Sequence, residues 1–383
     1  MKIPSTRPCF TDKEVEDILG KIRQVLKSGR LILGAFTRQL EEEFASYCGV
    51  KYAVAVNSCT AALEIALRYF KVAGKEVVVP CNTFVATCNA VIYAGGIPVL
   101  TEINPETLCI DFNDMKKKVS GSTAGIITVH IAGFPCPEIE KIREYCLERD
   151  LFLVEDVAHA HGAILNGKKA GSFGDAGCFS FYPTKVMTTG TGGMITTDHP
   201  RLAEFAISLR HHGVGEGLHQ IINLGNDWLM DEVRAVLGIS QLERLESNLA
   251  RRNEIAQAYS RLLRGVENVR LLRVPANIRH SYYKFPVILS ESVDKYLLVK
   301  ILQERYGIET GSIYDPPCHL QPVYQNRFGY RPGSFPVAEN VLKRTICLPI
   351  YVQMTDSEIT YVVESLQSCL ERISGESSRS LVS

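Results

Sequence analysis

The clearest candidate for covalent chemistry in this sequence is Lys185, at the end of the segment SFYPTK (180–185). A run of small residues, TTGTGG (188–193), follows the lysine and precedes an apolar run at Met194–Thr197. An amine beside compact backbone at the end of a strand could reach a bulky aromatic cofactor. A surface lysine in a glycine-rich loop would have the same local sequence, so Lys185 gains meaning only from the residues that accompany it.

Asp156 is the candidate acid, at the end of the buried-strand pattern Leu151–Val154. A carboxylate there could lie beneath a pyridine nitrogen and keep it protonated. The ring would then be an electron sink for the carbanion formed in transamination. The alternative is that Asp156 only caps a helix, because Asp is a preferred residue at helix N-termini.

A phosphate could bind where Ser58-Cys59-Thr60 leads into the helical pattern Ala61–Phe70. The first N–H groups of a helix lack partners within it, and the helix dipole favours an anion at that end. Ser180, five residues before the lysine, offers a hydroxyl to the same phosphate. A plain N-cap would explain Ser58 equally well.

Phe84 is the candidate aromatic, at the start of the helical pattern Thr83–Ala94. Its ring could lie flat on a pyridine ring, and packing in the core is the alternative. The phosphate cradle, the aromatic, the acid and the lysine each follow a predicted strand. Open parallel sheets bind ligands at the carboxyl ends of their strands, so this shared placement favours one site over four unrelated roles.

The elements that must position these residues alternate along the chain. Short apolar runs predict strands, and the runs between them have helical spacing, which together indicate an α/β fold with a mainly parallel sheet. The predicted strands are Tyr52–Val56, Glu76–Val79, Ile97–Ile103, Gly125–Val129, Leu151–Val154, Gly177–Phe179 and Met194–Thr197. The predicted helices include one that a Thr11–Glu14 capping box opens and Gly29 ends, Pro137–Arg149, and one long pattern from Asp227 to Leu249.

The length of 383 residues favours two domains, because single cores stop growing at roughly 250–300 residues. We assign 1–249 to a large domain that carries the site and 250–375 to a smaller C-terminal α+β domain, on which the N-terminal segment could also pack. The small domain would contain strands near Val269–Leu272 and Tyr282–Leu289, a helix near Asp294–Tyr306 and a last helix opened by a Thr355–Glu358 capping box. Residues 376–383 are expected to be disordered.

Composition excludes several classes of protein. The 42 basic residues equal the 42 acidic ones, so no charge field would collect nucleic acid, and a small-molecule substrate fits better. The first ten residues have no apolar signal core, and no run of about 18 apolar residues predicts a membrane span, so the cytoplasm is expected. The 12 cysteines are scattered without a C-x-x-C pair, which indicates buried thiols and no metal site.

The assembled motifs closely resemble the sugar-nucleotide aminotransferases of the DegT/StrS family, whose fold is that of aspartate aminotransferase. The resemblance runs from Ile3-Pro4 to about Leu370. Its motifs are FTRQLEEEFASYCGV (36–50), VNSCTAALEIAL (56–67), VVVPCNTFVATCNAVIYAGGIPV (77–99), EDVAHAHGA (155–163), SFYPTKVMTTGTGGMITT (180–197), PPCHLQPVY (316–324) and LPIYVQMTDSEI (348–359).

This resemblance implies a large pyridoxal 5'-phosphate (PLP) binding domain with a mainly parallel seven-stranded sheet flanked by helices. It implies that Lys185 holds PLP covalently and that Asp156 lies against the pyridine nitrogen. The remaining cofactor contacts it implies are the phosphate contacts of Cys59, Thr60 and Ser180, the stacking of Phe84 on the ring, and His159 near the cofactor hydroxyl.

For the reaction, the resemblance implies transamination of a nucleotide-linked keto-deoxysugar, with L-glutamate as amino donor and pyridoxamine phosphate as the intermediate cofactor form. It also implies a homodimer with active sites at the subunit interface, where Asn226 and Asp227 reach the cofactor of the neighbouring subunit. His319 and Gln321, with Tyr314 before them, could touch the sugar or its diphosphate. Packing of the small domain against the large one is an equal alternative for His319.

The chain departs from the family pattern at several positions. Cys59 stands where glycine is usual in the phosphate loop, and His159 stands where glutamine is most frequent. Thr191 replaces a common acidic residue. The segment NDWLM (226–230) replaces the usual N-Y-R-M, so that the arginine position is Leu229 and the partner-subunit phosphate contact is open.

Three alternatives stay open within this resemblance. A cofactor-dependent sugar dehydratase shares the fold, but such relatives replace the lysine with histidine, whereas Lys185 is present here. A non-catalytic regulatory protein could keep the fold without the chemistry, against which the retention of Lys185, Asp156 and Ser180 argues. A keto-cyclitol aminotransferase would perform the same chemistry on another substrate. The carbon that is aminated, at the third or fourth position of the sugar, is not encoded in these motifs.

Overall fold

The computed structural model describes residues 2–215 and 220–380, with side chains described through residue 373. Its strands, numbered in chain order, are β1 (Tyr52–Val56), β2 (Glu76–Pro80), β3 (Ile97–Thr101), β4 (Thr123–Val129), β5 (Phe152–Asp156), β6 (Ile164–Leu165), β7 (Lys168–Lys169), β8 (Ala176–Ser180), β9 (Gly193–Thr197), β10 (Val269–Leu271), β11 (Ile278–Arg279), β12 (Phe285–Leu289) and β13 (Thr345–Leu348).

The helices are α1 (Asp12–Ser28), α2 (Ala35–Cys48), α3 (Cys59–Tyr69), α4 (Val85–Tyr93), α5 (Phe112–Lys118), α6 (Ile139–Glu148), α7 (Pro200–Leu209), α8 (Glu232–Glu243), α9 (Leu245–Leu262), α10 (Lys295–Tyr306), α11 (Pro322–Phe328), α12 (Pro336–Lys343) and α13 (Asp356–Ser380). Single turns of 3₁₀ helix lie at Ile131–Gly133 and Cys318–Leu320. None of the helices in the described ranges is both long enough and apolar enough to cross a membrane.

The central sheet has seven strands in the order β1-β9-β8-β5-β4-β2-β3. All neighbouring pairs are parallel except those of β9, which runs antiparallel to both β1 and β8. The central strands are buried along nearly their whole length. Their sequences are therefore continuous apolar runs and do not alternate between apolar and polar residues. The predicted α/β fold with a mainly parallel seven-stranded sheet is confirmed.

The connection from β8 to β9 carries the candidate lysine. Because β8 and β9 are adjacent and antiparallel, the chain leaves β8 at its carboxyl end and must return to the same edge. Backbone hydrogen bonds close this loop, from Phe181 N to Gly192 O at 2.9 Å and from Thr189 N to Phe181 O at 3.0 Å. Lys185 is therefore presented at the edge where the parallel strands end.

The predicted helix ends and strand ends are mostly confirmed. The Thr11 hydroxyl accepts from Glu14 N, the Glu14 carboxylate accepts from Thr11 N, and Gly29 ends α1 in the left-handed conformation. Thr355 and Glu358 form the same reciprocal pair before α13. Asp156 is the last residue of β5 and not a residue beyond the strand.

The predicted helix from Asp227 to Leu249 is wrong, because the structure contains three separate pieces there. The segment before Asp231 is extended, and the Asp231 side chain starts α8 by accepting from Arg234 N at 2.9 Å. The chain then turns at Arg244 between α8 and α9. Apolar spacing alone continues through both breaks, so the pattern in the sequence conceals them.

A second apolar core lies apart from the one around the central sheet. It is built from α9, α10 and α13 around β12 and β13, and it includes Ile3 from the N-terminal segment. Ile3 is anchored there by backbone hydrogen bonds to Gly307 and Glu309. We propose that this core is the small domain, with the boundary inside α9 near residue 250. Helix α13 continues through 376–380, a segment for which the sequence predicts disorder, and 381–383 lie outside the described residues.

Candidate active site

A cavity of about 480 Å³ opens at the carboxyl ends of β1, β2, β5 and β8. This volume is within the range of roughly 300–1,000 Å³ that is usual for small-molecule sites. Eight of the twelve site residues that the sequence predicts line it: Lys185, Asp156, His159, Ser180, Cys59, Thr60, Phe84 and Tyr314. Residues from four separate strand ends therefore share one site.

Lys185 is half-buried on the cavity wall. Its backbone N–H donates to Tyr182 O at 3.0 Å, which closes a turn directly after β8. Its Nζ lies 4.5 Å from the centroid of the Tyr283 ring, and the Tyr283 hydroxyl is 3.0 Å from Thr184 Oγ1. Burial by itself would raise the pKa of Tyr283, but the ammonium groups of Lys185 and Lys284 outweigh it and lower that pKa below its ordinary value.

Among the described residues that line the cavity, Asp156 is the only acid, and it is 5% exposed. Thr87 Oγ1 donates to its Oδ2 at 2.7 Å, and Ala158 N donates to its Oδ1 at 3.0 Å. Burial raises the pKa of Asp156, while these two donors and the nearby Lys185 ammonium act in the opposite direction. The carboxylate is thus held in one orientation. The ion pairs of the described residues do not include it, so a protonated ring nitrogen could be its ionic partner.

The first turn of α3 forms the predicted phosphate cradle. The Ser58 hydroxyl accepts from Ala61 N at 3.1 Å, so Ser58 is the N-cap. The N–H groups of Cys59 and Thr60 have no intrahelical acceptor and face the cavity end of the helix. A side chain at Gly193 would collide with the backbone of Ser58, so only glycine lets β9 approach this loop.

The cysteine at a usual glycine position does not block the cradle. The Cys59 side chain is directed away from it, and its thiol donates to Cys178 O at 3.4 Å. Burial, together with the nearby Asp156 carboxylate, raises the pKa of Cys59 well above its ordinary value, so it stays a neutral thiol. The backbone N–H groups are therefore left for an anion although a side chain is present.

His159 has both ring nitrogens engaged. Ala132 N donates to Nδ1 at 3.2 Å, so Nδ1 is an acceptor and the proton of the neutral ring is on Nε2. Nε2 is 2.8 Å from Tyr314 Oη, to which it then donates. Burial lowers the pKa of His159 well below its ordinary value, in agreement with the neutral ring. The Tyr314 hydroxyl accepts this bond and keeps its own proton to donate into the cavity.

Strained backbone supports this histidine. Ala132, Tyr282 and Tyr314 all have positive φ values, of 58°, 47° and 41°. Non-glycine residues in this region cost energy and persist where the surrounding structure enforces them, often at functional sites. Gly133, at φ 98°, has no room for a side chain because Ser281 and the His159 carbonyl occupy the space. The turn at 131–133 is thereby joined to the segment 281–284.

Three cavity or supporting residues were not predicted from the sequence. Thr87 lies on α4, four residues after Thr83, which precedes that helix. This i, i+4 spacing of two threonines is the only local pattern in the sequence that indicates a role for Thr87. Tyr283 and Lys284 come from the segment before β12, which backbone hydrogen bonds join to the turn at Ile131–Gly133 beside the cavity. No sequence pattern near them indicates this position.

Four predicted residues lie outside the cavity. His319 is fully buried, with Nε2 2.9 Å from Glu339 Oε1 and its ring 4.8 Å from that of Phe335, and it does not line the cavity. These contacts favour the packing alternative, and a contact with the sugar or its diphosphate stays a prediction. Gln321 donates to Pro316 O at 3.0 Å and does not line the cavity either.

Asn226 and Asp227 are exposed at the surface near Asn57, whose Nδ2 donates to Asp227 O at 3.2 Å. They do not line the cavity of their own chain. Their predicted contact is with the neighbouring subunit and stays a prediction.

The residues present fit pyridoxal phosphate. A primary amine, a buried carboxylate, a helix N-terminus with unpaired N–H groups and a 56% exposed aromatic ring, Phe84, line one cavity. These are the groups needed for a covalent aldehyde link, a ring nitrogen, a phosphate and the face of a pyridine ring.

Comparison with known proteins agrees with this chemistry. The model of the DegT/DnrJ/EryC1/StrS aminotransferase family matches residues 12–367. The spore coat polysaccharide biosynthesis protein SpsC of Bacillus subtilis is 34% identical over 96% of this chain and 97% of its own length. GDP-perosamine synthase of Escherichia coli O157:H7 is 30% identical over 95% of this chain and 97% of its own. The pyridoxamine-phosphate form of Spr1654 from Streptococcus pneumoniae superposes with a TM-score of 0.91 at 27% identity, covering 99% of this chain and 100% of the other.

The fold and the cavity are those of a pyridoxal-phosphate-dependent aminotransferase. Within that class, the chain belongs to the DegT/DnrJ/EryC1/StrS aminotransferase family, a family of sugar aminotransferases.

Proposed function

We propose that this chain transfers an amino group from L-glutamate to the third or fourth carbon of a keto-deoxysugar carried on a nucleotide. The observation that carries the proposal is that one cavity is lined by both Lys185 and the buried carboxylate of Asp156. The similarity to GDP-perosamine synthase, an enzyme named for a nucleotide-linked sugar, supports a nucleotide-linked substrate. The cytoplasmic location expected from the sequence belongs to the same proposal.

When bound, pyridoxal phosphate supplies an aldehyde that links to amines and a ring that accepts electrons from a carbon losing its proton. Lys185 would hold the cofactor covalently in the resting enzyme, and its amine would be freed when the amino donor takes its place. The free Nζ would then be the base that takes the proton from the donor's α carbon and gives it up again. One side chain is thus both the anchor and the base.

The other residues orient and charge the cofactor. Cys59 and Thr60 would bind its phosphate through backbone N–H groups, and Ser180 would add a hydroxyl. Asp156 would stabilise a protonated ring nitrogen, and the bonds from Thr87 and Ala158 keep the carboxylate facing one way. The hydroxyl of Tyr314, which His159 orients, could donate to the cofactor's own hydroxyl.

Replacing Lys185 with Ala should abolish the visible absorbance of the lysine-bound cofactor and all turnover. Lys300, an exposed lysine on α10, provides the matched control, since K300A should keep both. The substrate is tested with a panel of nucleotide-linked 3-keto and 4-keto sugars and glutamate, read by mass spectrometry. Turnover by K185A, or amination of none of the sugars by the wild type, would contradict the proposal.

The same proposal includes a homodimer. Exposed apolar side chains precede Asn226 in the segment that the family resemblance places at the subunit interface: Ile221 is 65% exposed, Ile222 61% and Leu224 88%. Contiguous exposed apolar residues are typical of interaction surfaces. Burial of this segment against a second copy would bring Asn226 and Asp227 towards the partner's cavity.

A further inference from the structure

A second, smaller cavity of about 110 Å³ adjoins the main one. Three residues, Thr184, Tyr283 and Lys284, line both cavities and form the wall between them. The far side is made by Ser5 and Thr6 of the N-terminal segment, by Gly311, and by residues of β13 and just after it. Its volume corresponds to only about four water molecules at roughly 30 Å³ each, so it could receive a small polar group but not a sugar.

Lys284 brings an uncompensated positive charge to this wall. Its Nζ donates to the carbonyl of Ser312, and the ion pairs of the described residues do not include it. An ammonium group has three donors, so two are left for a ligand. By contrast, the buried Lys295 of the same domain is paired with the Asp315 carboxylate. A half-buried ammonium without an anion is unfavourable, and a ligand anion would remove that penalty.

The position of Lys284 relative to Lys185 selects the kind of anion. Both ammonium groups lie against the ring of Tyr283, at 4.5 Å for Lys185 and 5.7 Å for Lys284 from its centroid. The amine that would take the place of Lys185 on the cofactor is attached to the donor's α carbon, and the α-carboxylate is attached to the same carbon. A diphosphate is joined to the sugar several bonds away from a keto group at the third or fourth carbon. The α-carboxylate is therefore the anion that must lie close to Lys185.

The backbone holds Lys284 in this place. Lys284 N donates to Ala132 O at 3.1 Å, and the buried Arg252 donates to Tyr282 O at 2.8 Å. An ideal Cβ at Gly311 would lie 3.6 Å from Lys284 Nζ, so the chain passes close to the ammonium on that side. The charge is thus fixed by contacts on both sides of the residue and does not depend on a long free side chain.

We propose that Lys284 binds the α-carboxylate of the amino donor at the mouth of the small cavity. This inference rests on the proposed function, because it assumes an amino-acid donor. It separates the two substrates of the enzyme: Lys284 serves the donor half of the reaction, and the keto sugar is bound elsewhere in the main cavity.

The test compares K284Q, K284R and the surface control K300Q as cofactor-loaded proteins. Donor affinity is measured by absorbance titration with α-methylglutamate, which lacks the proton that must be removed and so reports binding without turnover. We expect K284Q to weaken this affinity roughly 10- to 100-fold, as for loss of a charge-assisted hydrogen bond, with K284R intermediate and K300Q unchanged. Wild type should also bind glutamate much more tightly than its α-amide, and K284Q should lose this preference.

Unchanged donor affinity in K284Q would overturn the proposal. So would a slower reaction of the pyridoxamine-phosphate form with the keto sugar, at unchanged donor affinity, because it would place the charge on the diphosphate. The keto-sugar half-reaction of K284Q should stay within about twofold of wild type. If wild type binds and reacts with glutamate but aminates no nucleotide sugar, the proposed substrate is wrong, and the donor titration still decides the role of Lys284.

Discussion

Replacing Asp156 with Asn should slow turnover severely without unfolding the protein. The amide has the shape of the carboxyl group, and its oxygen can still accept from Ala158 N. Its NH₂ group can donate to Thr87 Oγ1, whose proton can turn to Thr83 Oγ1, 2.7 Å away. What is lost is the negative charge, in a position that is 5% exposed.

Removing one partner of a buried ion pair costs about 3–5 kcal/mol, and each 1.36 kcal/mol is a factor of ten in rate. We therefore expect kcat to fall by a factor of roughly 200 to 5,000. The assay is steady-state transamination with glutamate at saturating cofactor, with the absorbance of the lysine-bound cofactor recorded to show that it is still attached.

The matched control is Asp175→Asn, an equally conservative change at a buried carboxylate outside the cavity. Asp175 accepts from Leu153 N at 2.8 Å and pairs with Arg143, so its loss should lower stability but not kcat. A D156N protein that retains its cofactor and turns over like wild type would refute the electrostatic role of Asp156.

Two further predictions concern stability and assembly. Burial lowers the pKa of His161 to about 3, so His161 stabilises the fold above its unfolded pKa of 6.5, and this contribution is lost as the pH falls below that value. Between pH 7.5 and pH 5 the loss in the free energy of unfolding is about 2 kcal/mol. In His161→Phe, whose ring would pack against Phe179, urea unfolding at the two pH values should show this loss to be absent. Equal acid sensitivity of wild type and variant would contradict this. Leu224→Asp should shift the protein from dimer to monomer in sedimentation velocity. The control Leu147→Asp, at a position that is 64% exposed on α6, should leave the dimer intact. If L224D has the same mass as wild type, this segment is not part of the interface.

The part of the site that could be predicted from the sequence is the part that follows strands. Lys185, Asp156, Ser180 and the Cys59-Thr60 turn are each within a few residues of a strand end, and parallel strands end at a common edge. Their meeting in one cavity is therefore a consequence of local patterns plus one rule of sheet topology.

Residues from outside the central sheet could not be predicted in this way. Tyr283 and Lys284 precede β12, which is not part of the central sheet, and they reach the cavity because the turn at Ile131–Gly133 bonds to their segment. His319 is the opposite case, since it belongs to a motif that the resemblance places beside the site, whereas its ring is buried against Glu339 and Phe335. Both outcomes depend on long-range packing, which the local sequence does not contain.

The long helical pattern from Asp227 illustrates a third limit. The N–H of Trp228 donates to Arg210 O and its carbonyl accepts from Asn57 N, so the backbone of this segment is bound to other parts of the chain and cannot form helix. Hydrophobic spacing records which residues are buried, but not which partner their backbone takes.

The contact that Gly193 makes possible between the loop after the lysine and the first turn of α3 has an evolutionary consequence. Through it, the groups we assign to the cofactor, apart from Tyr314, form one unit built on the central sheet, whereas Lys284, which we assign to the amino donor, enters from a segment outside that sheet. Mutations in that outer segment can change which donor is accepted while the attachment of the cofactor is inherited intact. Diversification of such an enzyme can thus proceed on one side of the cavity alone.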